Sequence, residues 1–108
     1  MLPDAIVQPE VVYTEQKNVK KSVDWIVVFD DLVLLVEVKS VRPTMKLRLG
    51  ATDFATELTT KLAKAVEQID KTAAHIAART AEFAHIPVDR PIVGVAVTLP
   101  GAYLTWAA

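Results

Sequence analysis

Three residues in the apolar stretch 23–40 have side chains suited to metal or phosphoryl chemistry. Asp24 lies near the start of this stretch, and Glu37 and Lys39 lie near its end. Two carboxylates can hold a divalent cation, and a lysine beside them can neutralise charge or orient a water molecule. The remaining residues are mostly apolar and often β-branched. Charges in such a stretch need a physical reason, because burying an unpaired charge is costly.

A hairpin would bring these three residues together. The stretch has the composition of two strands around a turn at Asp30 and Asp31. A two-residue and a four-residue loop give the same register, with Asp24 opposite Glu37. Lys39 follows two residues after Glu37, so its side chain points to the same face. A three-residue loop would shift the register by one residue and separate the three side chains.

Two interpretations of this cluster remain open from the residues alone. In the simpler one, Lys39 neutralises one acid and the other acid reaches solvent. In the other, Asp24, Glu37 and the carbonyl oxygen of Val38 hold Mg²⁺, an ion that prefers oxygen ligands and keeps several waters. Such an ion lowers the pKa of a bound water and stabilises charge on a phosphoryl group. Lys39 would then orient or help deprotonate the attacking water.

The rest of the chain supplies the elements that must position the cluster. We predict a first strand at 10–16, a basic turn at 17–22 and a loop at 40–50. A helix is predicted from Asp53 to about Ala84, and a buried strand at 92–99. The predicted order is therefore β-β-β-α-β, an α/β fold with a mixed sheet and one long crossover helix.

The predicted helix has an apolar stripe that should face the sheet, and a break near Arg79 is an alternative to one continuous helix. The stripe consists of Phe54, Leu58, Leu62, Ala65, Ile69, Ala73 and Ile76. The apolar character of both faces of the central strands predicts that they are covered on both sides.

Composition limits the function classes. The 108 residues are enough for one domain, 1–108, and 52% hydrophobic residues favour a folded core. A net charge of −1 gives no global basic excess, and the absence of cysteine excludes disulfides and thiolate metal sites. No signal peptide and no apolar run of roughly 20 residues is present, so we expect a cytoplasmic protein without a membrane partner. The abrupt, apolar ends suggest a fragment truncated at both ends.

The pattern of an acid followed by Glu37-Val38-Lys39 at the end of an apolar strand resembles the PD-(D/E)XK phosphodiesterase superfamily, which has a restriction-endonuclease-like core. The resemblance covers residues 11–99, and its nuclease-related members are the nearest in pattern. It implies a nuclease that depends on Mg²⁺ or Mn²⁺, with Asp24, Glu37 and Val38 as metal ligands and Lys39 positioning water. It also implies a supporting glutamine on the helix, for which Gln68 is the candidate.

Beside a phosphodiesterase site, the basic residues become candidate phosphate contacts. The segment 39–50 contains basic residues and no acid, and further lysines lie on the helix. The candidates are Arg42, Lys46, Arg48 and Lys61. The expected partner is nucleic acid, with DNA preferred.

The alternative function is a catalytically inactive scaffold or oligomerisation module that has kept the nuclease fold. No helix is predicted before Val11, although the superfamily core begins with one, so apolar surface would be left to cover. Self-association into a homodimer is one way to cover such a surface.

Overall fold

The computed structural model describes residues 5–40, 51–99 and 103–107, with side chains at 5–40 and 55–98. Within these residues, five strands form one mixed sheet and two strands form a separate hairpin. The elements in chain order are β1 (Ile6–Pro9), β2 (Val12–Glu15), β3 (Asn18–Lys21), β4 (Trp25–Val28), β5 (Val33–Ser40), α1 (Ala51–Ala77), a 3₁₀ turn (Ala81–Phe83), β6 (Ile92–Leu99) and β7 (Tyr103–Ala107).

The large sheet has the strand order β1-β4-β5-β6-β7. Strands β5 and β6 are parallel, and the other neighbouring pairs are antiparallel. Parallel strands need a long crossover connection, which α1 supplies here. The predicted α/β class, with a mixed sheet and one long helix, is confirmed.

The region before α1 contains more strands than the sequence predicts. Strand β1 pairs with β4, and the predicted turn at 17–22 is wrong, because β3 forms there and pairs with β2. The true turn is only Gln16 and Lys17, with φ angles of 50° and 67°. Two consecutive positive φ angles are typical of a type I′ turn, which lets the chain reverse within two residues.

Helix α1 buries one stripe of its surface. Ala65, Ile69 and Ile76 are buried, as predicted for the stripe that faces the sheet. The helix ends at Ala77, so the continuous helix to about Ala84 is wrong and the alternative with a break near Arg79 agrees with the structure. Arg79 has a φ of 55°, while the N–H of Thr80 donates to the His75 carbonyl at 3.1 Å. These features define a Schellman motif, which satisfies the last carbonyls of a helix.

The hydrophobic core lies between α1, one face of the large sheet and the β2–β3 hairpin. It forms one cluster of buried residues: Val11, Tyr13, Val23, Ile26, Val33, Leu35, Ala65, Ile69, Ile76, Phe83, Ile86 and Ala96. The sequence predicts central strands that are covered on both faces. Among the described residues, the helix and the hairpin pack on the same face of the sheet, the one that carries Ile26 and Leu35.

No helix in the described ranges combines the length and the apolar character that a bilayer crossing needs.

Candidate functional site

The β4–β5 hairpin has the register that the sequence predicts. Trp25 is opposite Val36 and Ile26 is opposite Leu35. The N–H of Phe29 donates to the Leu32 carbonyl at 2.8 Å, which closes the turn. Continuing this register by one residue beyond β4 brings position 24 opposite position 37. Both candidate acids therefore lie at the same end of the sheet.

The two carboxylates are fixed by reciprocal hydrogen bonds to the opposite backbone. The N–H of Asp24 donates to Glu37 Oε1 at 3.0 Å, and the N–H of Val38 donates to Asp24 Oδ2 at 2.7 Å. Each acid thus accepts a hydrogen bond from the strand that carries the other. Hydrogen bonds to a charged acceptor are stronger than neutral ones, so this exchange offsets part of the repulsion between the acids.

Lys39 completes the cluster. Its Nζ lies 3.1 Å from Glu37 Oε2, and its side chain is 27% exposed. Glu37 is only 6% exposed, so its charge lies largely outside bulk water. Burial raises the pKa of the Glu37 carboxyl, the Lys39 ammonium opposes this rise, and the negative charge of Asp24 adds to it. The cluster thus holds a carboxylate that a further positive charge would stabilise.

The cluster lies in a cleft of about 560 Å³ between α1 and the β2–β3 hairpin. The wall formed by the hairpin and its flanks consists of Glu10, Tyr13, Glu15, Val19, Lys20, Lys21 and Ser22, and the helical wall consists of Lys64, Glu67, Gln68 and Lys71. Two of the wall lysines have acidic partners. Lys21 lies 3.7 Å from Glu10, and Lys71 lies 3.0 Å from Glu67. The cleft therefore presents acids at its base and both lysines and glutamates on its two walls.

Hydrogen bonds from α1 hold the segment that carries Asp24. The side-chain amide of Gln68 donates to the Lys21 carbonyl. The N–H of Val23 donates to Thr72 Oγ1 at 3.1 Å, and this hydroxyl donates to the Gln68 carbonyl at 2.9 Å. Thr72 is 1% exposed, so these are buried contacts. The helix thereby fixes the chain on the N-terminal side of Asp24.

Ser22 adds a second anchor to the same segment. Its hydroxyl accepts a hydrogen bond from the Val11 N–H at 2.8 Å and donates to the Val23 carbonyl at 2.9 Å. The sequence alone predicts no role for Ser22 or Thr72. The signal for Thr72 was present, because it is a polar residue between Ile69 and Ile76 on the buried stripe.

The structure brings together four predicted site residues, Asp24, Glu37, Lys39 and Gln68, in one cleft. The N–H of Val38 takes part in the same cluster. The predicted phosphate contacts Arg42, Lys46 and Arg48 lie outside the described residues.

The lysines on the helix divide into two groups. Lys61 lies 3.8 Å from Glu57 one turn away, and it is not among the described residues that line the cleft. Lys64 and Lys71 do line it. The choice of Lys61 as the helical phosphate contact stays a prediction, and the cleft geometry favours Lys64.

The donor set of the cluster fits a hydrated Mg²⁺ or Mn²⁺ ion. No group of three or more histidine, cysteine or acidic side chains is arranged to hold a metal within the described residues. Mg²⁺ does not require such a cage, because it is commonly held by one or two carboxylates together with waters and substrate phosphates. Each carboxylate oxygen has two lone pairs, so the oxygens of Glu37 can accept their present contacts and still bind a cation.

Comparisons of this chain with protein-family models, with curated proteins and with solved structures find no match. The geometry of the cleft and the sequence pattern are therefore the features from which a function is inferred.

Proposed function

We propose that this chain is a metal-dependent phosphodiesterase domain of the PD-(D/E)XK type that acts on nucleic acid. The observation that carries the proposal is the convergence of Asp24, Glu37 and Lys39 at the base of a cleft with lysine-bearing walls. Acids with an adjacent lysine suit hydrolysis of a phosphate ester, and surrounding lysines suit binding of its anionic backbone.

The proposed roles follow from the contacts of each side chain. Asp24 and Glu37 bind the cation, with the carbonyl oxygen of Val38 as a third protein ligand. A bound Mg²⁺ or Mn²⁺ supplies Lewis-acid stabilisation of phosphoryl charge and activation of water. The Lys39 ammonium lies 3.1 Å from Glu37, where it can hydrogen-bond to the attacking water and fix its position. Gln68 holds the Lys21 carbonyl and so keeps the helical wall against the site.

The electrostatics of Glu37 support a cation at this site. Its carboxyl has a raised pKa, because burial and Asp24 together outweigh the help from Lys39. A divalent cation would oppose both effects and favour the ionised form. Acids with a raised pKa in clefts are frequent at catalytic sites, since the same arrangement that costs stability prepares the site for its ligand.

The topology gives independent support to a restriction-endonuclease-like core. An antiparallel hairpin carries both acids, and a long helix then leads to a strand that is parallel to the second strand of that hairpin. The acids lie at the end of β5 from which the chain departs toward this helix. Because fold alone does not establish chemistry, the proposal depends on the cluster.

A cleavage assay tests the proposal. The parent chain, Glu37→Gln, Lys39→Met and the matched control Asp31→Asn are incubated with Mn²⁺ and either plasmid DNA or labelled single strands. We expect cleavage by the parent and the control, and a loss of roughly 10²–10⁴-fold in the two site variants. If all four chains cut equally well, the assigned chemistry is wrong.

A non-catalytic scaffold is the second candidate, and one observation favours it. Both oxygens of Glu37 already have partners within the protein, the Asp24 N–H and the Lys39 ammonium. On this account the cluster only ties the ends of the hairpin together. Thermal unfolding separates the candidates, because bound Mg²⁺ raises the melting temperature of a metal site and leaves a purely structural cluster unchanged.

A further inference from the structure

The large sheet has a second face, opposite α1, that is apolar across its described width. Side chains alternate between faces along each strand, and cross-strand partners share a face. The pairings Val7↔Val27, Val27↔Leu34 and Leu34↔Val93 therefore define one continuous row. The apolar face is the set Val7, Pro9, Trp25, Val27, Leu34, Val36, Val38, Val93, Val95 and Val97. The described strand residues on this face carry no charge, and Ser40 at the end of β5 is the polar residue among them.

Burial differs sharply between the two faces. On the core side, the β5 residues Val33, Leu35 and Glu37 are buried. On the apolar face, the intervening β5 residues Leu34 and Val36 are only half-buried, as are all its described members on β6. None of its members is fully buried, and no described helix packs on it.

The exposure is greatest near one edge of the apolar face. Val7 is 61% exposed and Trp25 is 46% exposed. Large aromatic residues in such positions are typical anchors of protein interfaces. Contiguous apolar patches of this extent are uncommon on monomers, and they mark interaction sites.

We propose that a second copy of this chain covers the apolar face, so that two sheets pack face to face in a homodimer. The face carries no charge, so it is complementary to itself and a two-fold arrangement brings no like charges together. Its β-branched side chains form the kind of surface that interdigitates in stacked sheets about 10 Å apart.

The size of the face agrees with this occupant. A strand residue occupies roughly 16 Å² of sheet plane, from a rise of about 3.3 Å and a strand spacing of about 4.8 Å. The five strands of the sheet therefore project roughly 450 Å² per copy, and the accessible area of the corrugated surface is larger. Two copies would bury on the order of 1,000 Å² or more in total, which reaches the range of specific interfaces.

The dimer would leave the two candidate sites independent of each other. Glu37 and Lys39 point to the face that carries the core, while the proposed interface uses the opposite face. Each cleft would therefore open on an outer side of the dimer. This inference does not rest on the proposed nuclease activity, and disruption of the dimer should leave the clefts intact.

Light scattering coupled to gel filtration tests the assembly. The sequence mass is 11.8 kDa, and we expect the parent to have twice this mass over the micromolar range. Val36→Lys places a charge near the centre of the apolar face, and it should return the mass to that of one chain. Ala74→Lys introduces the same side chain at an exposed position of α1, and it should leave the dimer intact. Circular dichroism verifies that both variants are folded.

A second experiment does not depend on the fold tolerating a charge. The chain has no cysteine, so Val36→Cys introduces a single thiol. Stacked sheets are too far apart for a direct disulfide, so a short bis-maleimide serves as the thiol cross-linker, and we expect a cross-linked dimer from Val36→Cys and much less from the control Ala74→Cys. A parent that remains monomeric at high micromolar concentration, or equal cross-linking of the two variants, would overturn the proposal.

Discussion

The two ends of the β4–β5 hairpin each carry a pair of acids, and the pairs have different surroundings. At the turn, Asp30 and Asp31 are adjacent and exposed. At the open end, Asp24 and Glu37 are thirteen residues apart in sequence, yet each bonds to the backbone of the opposite strand. Glu37 is buried and has an ammonium at 3.1 Å.

This difference shows that the surroundings of two acids decide whether they can form a cation site. The turn acids lie in water, which screens their charge and solvates both carboxylates. The acids at the open end lie under α1 and the β2–β3 hairpin, where charge is expensive unless a cation is present. The open end is therefore the candidate site, and substitutions of the acids at the turn serve as its controls.

The largest expected effect is a difference in cleavage rate between two variants, each with one acid neutralised at one end of the hairpin. Asp24→Asn keeps an oxygen that can accept the Val38 N–H but loses its charge, so we expect cleavage to fall roughly 10²–10⁴-fold. Asp30→Asn should change the rate by no more than about twofold, because surface substitutions have small effects. The measurement is the single-turnover cleavage rate with Mn²⁺. Equal losses at both ends would remove the distinction between them.

The next effect concerns the support behind Asp24. Thr72→Val removes the hydroxyl that accepts the Val23 N–H, while Thr72→Ser keeps it. A buried N–H without a partner costs about 1–3 kcal/mol, so the segment should shift and the cleavage rate should fall roughly tenfold in Thr72→Val. The serine variant should recover most of the rate. If the two variants have the same rate and the same Mn²⁺ affinity, Thr72 serves only packing.

A smaller effect is expected on stability. The pKa of Glu37 is raised in the folded protein, so the folded state binds its proton more tightly than the unfolded state. The parent therefore loses stability as pH rises from the unfolded pKa of about 4.3 through the raised folded value, and the loss is complete above it. Glu37→Gln lacks this loss and should have a higher melting temperature than the parent near neutral pH without metal.

Two controls accompany this stability measurement. The difference in free energy of unfolding between parent and Glu37→Gln, followed across pH, isolates this carboxyl from the others. Addition of Mg²⁺ should stabilise the parent and leave Glu37→Gln unchanged. A variant that is less stable than the parent throughout would mean that the ion pair with Lys39 outweighs the burial of Glu37.

The smallest effect concerns the walls of the cleft. Lys64 lines the cleft, whereas Lys61 lies outside it and beside Glu57. Lys64→Ala should make the slope of log affinity against log salt concentration shallower by about the amount of one phosphate contact. Lys61→Ala should leave this slope unchanged. Fluorescence anisotropy with a labelled oligonucleotide over a salt series measures both. The opposite result would support the sequence-based choice of Lys61.

The sequence was sufficient to predict the central geometry, because the period of a strand is strict. Either even loop length around Asp30 and Asp31 brings Asp24 opposite Glu37, so the register did not depend on the exact turn. The sequence does not predict strand β3, because all four of its residues are exposed and three of them are polar, which removes the hydrophobic alternation that identifies a strand.

Other features depend on tertiary contacts that no local pattern encodes. The role of Thr72 requires knowing that Val23 passes beside it, although 49 residues separate the two in sequence. The coverage of the sheet is a similar case. Apolar residues on both faces of β5 indicate that both are to be buried, but they do not indicate by which element or by which chain.

A calorimetric titration with Mn²⁺ tests the central claim most directly, because it asks whether the buried acids at the open end of the hairpin form a cation site. The parent and Asp31→Asn should each bind one ion with equal affinity, and Glu37→Gln should bind about tenfold or more weakly. Equal binding by all three chains, or no binding by a folded parent, would contradict the account.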